Sequence, residues 1–269
     1  MKENIIDMYL SGMSALQISK MLNMKYYGVH KAIKDSGINF RKNGDNLKKY
    51  TANYNFFEKI DTEEKAYWLG FIAADGHVSR GDQVIINQST ANRDHLQKFL
   101  NSIEATNKIK DYASDTLYKK NTKYSRIVIT SKKMVEDLSR LNIVENKSLI
   151  LITPDISNSL KRHWIRGYID GDGSISRTKS KSKRLYEYSL KICGTKEVLT
   201  SILLYLGKEN QKLYERNYDN KNNYYISIGG NIQTKECLDI IYGNASIYMD
   251  RKYKRYTDLL AQSSEGVTP

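Results

Sequence analysis

Residues 68–76 read WLGFIAADG, and residues 165–173 read IRGYIDGDG. Aligned, both follow one pattern: Gly, aromatic, Ile, any residue, a small residue, Asp, Gly. Each closes an apolar run of helical character, and the final Gly suits a left-handed C-terminal turn. Small residues mark one face of each run: Gly70, Ala73 and Ala74 in the first, Gly167 and Gly171 in the second. Such faces let two helices approach closely. If they meet, the carboxylates of Asp75 and Asp172 emerge side by side at the same end. That is poor for stability, because each faces the negative end of a helix dipole and a second negative charge. Divalent cations offset both effects. All-oxygen ligands suit Mg²⁺, although another divalent cation is open. Paired carboxylates with metal are an arrangement for phosphodiester hydrolysis.

Outward from the two motifs, the pattern of elements recurs. Each motif helix is followed by strand-like stretches: QVIINQS, NKIKDYA and SRIVITS in the first repeat, YEYSLKICG, QKLYERNY and NYYISIG in the second. Helical stretches at 91–103 and 132–141, then at 196–206 and 234–242, separate or follow them. The fold class expected is α+β: two pseudo-symmetric αββαββα repeats, residues 53–153 and 154–262, packed through their motif helices. A helix around 247–261 and a polar tail, 263–269, close the chain. Residues 1–45 read instead as three short helices with a tight turn before the third, a small all-α helix-turn-helix module. Leu16, Ile18, Met21 and Leu22 are available to its core, with Val29 and Ile33. The third helix turns Lys25, Tyr26, Tyr27, His30, Lys31 and Lys34 outward, with Arg41 and Lys42 just beyond it. These groups suit base edges and phosphates. Residues 46–52 form a linker.

Composition narrows the function. The chain has 269 residues, 43 Lys+Arg against 30 Asp+Glu, and a net charge of +13. A 40% hydrophobic content excludes wholesale disorder. Two cysteines give neither a disulfide framework nor a Cys-rich zinc site. No apolar run is long enough to span a membrane, and no secretory leader is evident, so an intracellular setting is expected. The excess charge points to a polyanionic partner, nucleic acid before membrane. Residues 1–45 carry +3 of it and the remainder +10, so it is not a simple basic tail.

The two nonapeptides resemble those of the LAGLIDADG homing endonucleases in their single-chain, two-motif form. That resemblance implies a β-sheet saddle over double-stranded DNA, a metal-dependent double-strand break across the minor groove with short 3′ overhangs, and action as a monomer. It implies metal ligation by Asp75 and Asp172, with carbonyl ligands unassigned. The inner acidic position is Asp170 in the second copy but Ala73 in the first, which marks Asp170 as structural or peripheral. Gln88 and Lys132 fall where the family carries catalytic-pocket groups. In the second repeat Gly194 stands in place of Gln88, and the counterpart of Lys132 is open among Asn231, Gln233 and Lys235. Three loops between strands suit the DNA backbone: Lys119, Lys120 and Lys123; Arg177, Lys179, Lys181, Lys183 and Arg184; and Arg216, Lys221 and Asn223. The resemblance also implies intron encoding or a free-standing gene, acting in the cytoplasm of a bacterial or phage-infected cell or in an organelle. Two alternatives stay open: a non-cleaving transcriptional regulator on the same scaffold, and a maturase that assists splicing of intron RNA.

Overall fold

A computed structural model of the chain describes residues 2–11, 13–40, 50–115, 120–179, 186–216 and 222–264. It divides into two compact units, Met1–Thr51 and Ala52–Pro269. Among the described residues, no helix is long and apolar enough to cross a membrane.

The first unit holds α1 (Lys2–Leu10), α2 (Ala15–Met21) and α3 (Tyr26–Lys34). Ser14 starts α2 through a capping box: the Gln17 amide donates to Ser14 Oγ at 3.2 Å, and the Ser14 amide donates to Gln17 Oε1 at 2.8 Å. Asn23 makes the tight turn into α3 at φ +49°. Ile5, Tyr9, Ile18, Val29 and Ile33 form a separate small core. Leu16 and Met21 do not join it; they are exposed. The buried stripe of α2 runs Ala15, Ile18, Ser19, the i, i+3, i+4 spacing, and Leu16 and Met21 lie off it.

The second unit shows the expected α+β repeat twice. The first copy is α4 (Glu63–Asp75), β1 (Gly76–Ser79), β2 (Gln83–Ser89), α5 (Arg93–Ser102), β3 (Lys110–Ser114), β4 (Thr122–Thr130) and α6 (Lys132–Arg140). The second is α7 (Asn158–Asp172), β5 (Gly173–Lys179), β6 (Tyr186–Gly194), α8 (Lys196–Tyr205), β7 (Tyr214–Glu215), β8 (Tyr224–Gly229) and α9 (Asn231–Tyr242), followed by α10 (Asp250–Ser264). Each copy forms a four-stranded antiparallel sheet, ordered β1-β2-β4-β3 and β5-β6-β8-β7. The registers match: Gly76 pairs Ile86 and Ile86 pairs Ile127, as Gly173 pairs Ile192 and Ile192 pairs Ile226. Alternation follows the pleat. Val84, Ile86, Ile127 and Ile129 are buried, whereas Asn87 is exposed and Arg126 half-buried.

The core centres on α4 and α7. Residues 66–73 of α4 are all buried, so this helix is covered on every side. The two helices touch backbone to backbone. A Cβ on Gly70 would collide with the Trp164 carbonyl oxygen, and one on Gly167 with the Tyr67 carbonyl oxygen. A Cβ on Gly171 would strike that of Ala74. The expected left-handed turn after each motif is not there. Gly76 (φ −77°, ψ 153°) and Gly173 (φ −90°, ψ 161°) are extended, and the chain runs straight from helix into strand. Glycine is required there for space: a Cβ would stand 2.7 Å from the Ile72 carbonyl oxygen at the first and 2.5 Å from that of Ile169 at the second.

Candidate active site

Asp75 and Asp172 are the last residues of α4 and α7, and the close crossing brings both to one end of the helix pair. Asp75 Cγ lies 3.4 Å from where a Cβ on Gly171 would stand, next to Asp172 in the chain. Desolvation raises both carboxyl pKa values above the ordinary range. Burial, reinforced by the negative charge of Asp75, pushes Asp172 up to about 6. Both nevertheless keep access to solvent, Asp172 more than Asp75.

Each motif end carries one buried lysine. Lys147, in a short 3-10 turn (Lys147–Leu149), donates to the Gly76 carbonyl at 2.5 Å. Lys252, in the first turn of α10, donates to the carbonyls of Ile169 (2.6 Å), Asp170 (2.7 Å), Gly171 (3.3 Å) and Gly173 (2.6 Å). These carbonyls carry the negative end of the helix dipole, so the ammonium neutralises it at the point where the carboxylate adds to it. Burial lowers both lysine pKa values, that of Lys252 to about 8, against the opposing pull of the acids.

The structure places a different lysine from Lys132 on the first motif end. Lys132 opens α6, is 80% exposed and pairs with Glu136 at 3.7 Å. The residue on the motif end is Lys147, and its counterpart is Lys252 rather than Asn231, Gln233 or Lys235. Asn231 instead bonds the Tyr186 carbonyl and the Tyr188 amide, and Lys235 pairs with Asp239. Both lysines lie in chain segments after their repeat's last strand, and they stand at unequal distances along the chain from Asp75 and Asp172, so no spacing in the sequence marks them.

Gln88 donates to Asp75 Oδ2 at 2.5 Å and accepts from Asn92 Nδ2 at 3.0 Å. The register puts Gly194 at the equivalent site, two residues beyond Ile192 as Gln88 is beyond Ile86. Tyr168 takes the space: a Cβ on Gly194 would stand 2.5 Å from its hydroxyl, which donates to the Cys193 carbonyl at 3.0 Å. Among the described residues no side chain donates to Asp172. Asp170 is fully buried and structural: it accepts from the Tyr67 hydroxyl (2.7 Å), the Tyr242 hydroxyl (2.6 Å) and the Met249 amide (2.7 Å), tying the first motif helix to the second repeat. The Tyr67 hydroxyl spends its proton on Asp170, so the Nε2–H of His95, 3.0 Å away, donates to it. His95 is neutral, its pKa lowered to about 3 by burial.

The outer sheet faces carry groups that the sequence did not single out. Arg126 Nε donates to Asn87 Oδ1 at 2.7 Å and lies over the rings of Tyr112 and Tyr124, which stack on each other. In the second sheet Lys191 sits 3.9 Å over Tyr225, which stacks on Tyr214. The expected strand at Tyr214 is only two residues long. Of the expected loop contacts, Lys120, Lys123, Lys179 and Arg216 are exposed and Asn223 half-buried; Arg177 pairs with Asp258 at 3.1 Å. Lys119, Lys181, Lys183, Arg184 and Lys221 lie outside the described residues, as do Arg41 and Lys42. In the first unit Lys25, Tyr26, Tyr27, Lys31 and Lys34 are exposed on α3 or its start, while His30 is half-buried and stacks on Phe40 at 4.2 Å.

Among the described residues there is no cluster of three or more His, Cys, Asp or Glu side chains able to hold a metal ion. The donor set is two carboxylates, with remaining positions left to water or substrate oxygens. That suits a hard divalent cation of the Mg²⁺ kind, not zinc.

Fold and site together define a class: a pseudo-twofold protein of two helix-led repeats whose crossing helices deliver two carboxylates to a lysine-flanked pocket. A sequence model of the LAGLIDADG-like domain matches residues 62–148 and 159–242, one match for each repeat. The chain belongs to the family of the LAGLIDADG-like domain. The solved structure of the homing endonuclease I-GzeII in complex with DNA target is similar, at 13% identity over 76% of this chain and 92% of that one, TM-score 0.49. So is meganuclease I-SmaMI bound to uncleaveable DNA, at 13% identity over 78% and 93%, TM-score 0.49. The replication factor C small subunit of Methanocaldococcus jannaschii is 26% identical over 238 residues, 84% of this chain. The chain spans 12% of the length of that relative.

Proposed function

We propose that the chain acts as a monomeric, site-specific DNA endonuclease that makes a double-strand break with divalent metal, Mg²⁺ above all. The observation that carries this is the pair Asp75 and Asp172, two solvent-reaching carboxylates forced together at the ends of adjoining helices, each with a buried lysine beside it. Nothing in packing rewards that arrangement, and a bound cation offsets its cost. Asp75 and Asp172 would hold the metal, which when bound polarises the scissile phosphate and supplies an activated water. Gln88 fixes the orientation of Asp75. Lys147 and Lys252 set the local potential and stand ready to stabilise the charge that develops on a phosphate. The outer sheet faces, with Arg126 and Lys191 poised on tyrosine rings, would read the duplex, and exposed Lys25, Tyr27, Lys31 and Lys34 of the N-terminal unit would extend its footprint. Encoding by an intron or a free-standing gene, and action in the compartment that holds the target, are parts of the same reading.

The test is incubation with DNA spanning the gene's own insertion site, first with Mg²⁺ and then with chelator. Metal-dependent cutting is expected, and Asp75→Asn and Asp172→Asn should each abolish the double-strand break while binding persists. Binding with no cutting under any metal would favour a regulator; preference for intron RNA would favour a maturase.

A further inference from the structure

A groove of about 380 Å³ runs between β5 and α10. One wall is a stripe on α10 at positions i, i+3, i+4 and i+7: Arg251, Lys254, Arg255 and Asp258. Arg177 of β5 faces it, and its floor reaches Lys252, the lysine seated on the carbonyls around Asp172. Five cations thus share a concave surface with one acid. Asp258 holds two of them, Arg177 at 3.1 Å and Lys254 at 2.7 Å. Arg251 and Arg255 have no carboxylate partner among the described residues.

The scaffold does not demand this stripe. Lys147 and Lys252 play matching parts in the two repeats, and at the same offsets from Lys147 stand Asn146, Leu149, Ile150 and Thr153. The first half keeps the buried lysine and exposes Leu149 and Ile150 where the second half presents Lys254 and Arg255. A solvated charged helix face would need no concavity and no unpaired arginines on the side of the carboxylate that would hold the metal.

We propose that this groove is a phosphate-binding track, which holds the DNA backbone next to the scissile phosphate on the Asp172 side and makes the grip on the duplex unequal between the two halves. It rests on the endonuclease reading above. Each unpaired guanidinium meets phosphate oxygens and displaces condensed cations, so the track shows itself in the salt dependence of binding.

The test uses the full chain and a fluorescein-labelled 40-base-pair duplex of arbitrary sequence, with affinity read by anisotropy across a KCl series without divalent metal. Arg251→Gln with Arg255→Gln should lower the slope of log K against log salt by about 1.8, roughly 0.9 for each cation, and weaken binding about ten-fold or more near 0.1 M salt. Asp258→Asn releases Arg177 and Lys254 and should strengthen binding and steepen the slope, a gain that misfolding cannot produce. Lys161→Gln, at the far end of α7, is the charge-matched comparison for Arg255→Gln alone and should change the slope less than that single variant does. Wild-type affinity and slope in the double variant, or no gain from Asp258→Asn, overturns the track. An effect of Lys161→Gln as large as that of Arg255→Gln overturns it too, because the loss then follows net charge. Failure of the wild-type chain to bind any duplex overturns the endonuclease reading itself.

Discussion

Asp75 accepts a hydrogen bond from Gln88, and Asp172 accepts none from a described side chain. The two carboxylates that look alike in sequence are therefore held differently. Gln88→Ala should slow cutting of the strand served by Asp75 by about 10–100-fold, the usual cost of losing a group that orients a metal ligand, and leave the other strand's rate near wild type. Nicked intermediate accumulating on one strand, resolved on a denaturing gel, is the readout. The raised carboxyl pKa values carry a stability consequence. With the folded pKa above the unfolded one, the folded chain binds more protons in mildly acidic solution, so ionisation through about 6 costs stability as pH rises. In chelator, Asp172→Asn should melt higher than wild type, with a margin that grows from pH about 5 to about 7.5. Added divalent cation should shrink that margin by stabilising wild type alone. A margin independent of pH would show that the carboxylates do not repel in the folded chain. At this scale the sequence reads well where spacing is rigid. Asp75, Asp172 and Gln88 sit on a helix end or a paired strand, where position in the chain dictates position in space. Lys147 and Lys252 arrive from segments whose path only the packed structure sets.

The helix pair is legible in sequence for a different reason. Gly70 and Gly167 sit at matching places in the two motifs, and only close approach explains small residues repeated at that spacing. The structure turns approach into contact between backbones. Gly70→Ala or Gly167→Ala should cost about 3 kcal/mol or more, because the obstructing atoms are carbonyls that cannot swing aside. Chemical denaturation should show the loss, while Gly81→Ala should cost less, since a Cβ there meets nothing and only its φ of +70° resists. What the motif pattern misleads on is the helix end. An Asp-Gly pair at the close of an apolar run suits a left-handed cap, yet both glycines are extended and serve to clear an isoleucine carbonyl. The reason is the strand that follows at once: Gly76 and Gly173 are already paired in their sheets, so there is no room for a turn.

On the scale of the molecule, each unit has its own core. Ile5, Tyr9, Ile18, Val29 and Ile33 pack among themselves, and the larger core begins at Phe56 and Phe57. Removal of residues 1–51 should leave the main melting transition unchanged within a degree or so and weaken DNA binding, measured by calorimetry and anisotropy on the same preparation. Short helices with their own apolar stripe need no partner from the sheets. Within the larger unit, Asp170 and Arg166 knit the repeats in ways no pattern announces: the Arg166 guanidinium, fully buried, donates to Glu63 of α4 at 2.6 Å and to the carbonyls of Ile241 and Ile247. If the chain cuts DNA as proposed, the backbone contact at Gly70 and Gly167 also constrains the duplex. Main-chain atoms in direct abutment act as a fixed ruler, and no rotamer change can lengthen it. A duplex whose two scissile phosphates do not match that gauge must itself bend or narrow, so base steps that no side chain touches would be selected for their pliability.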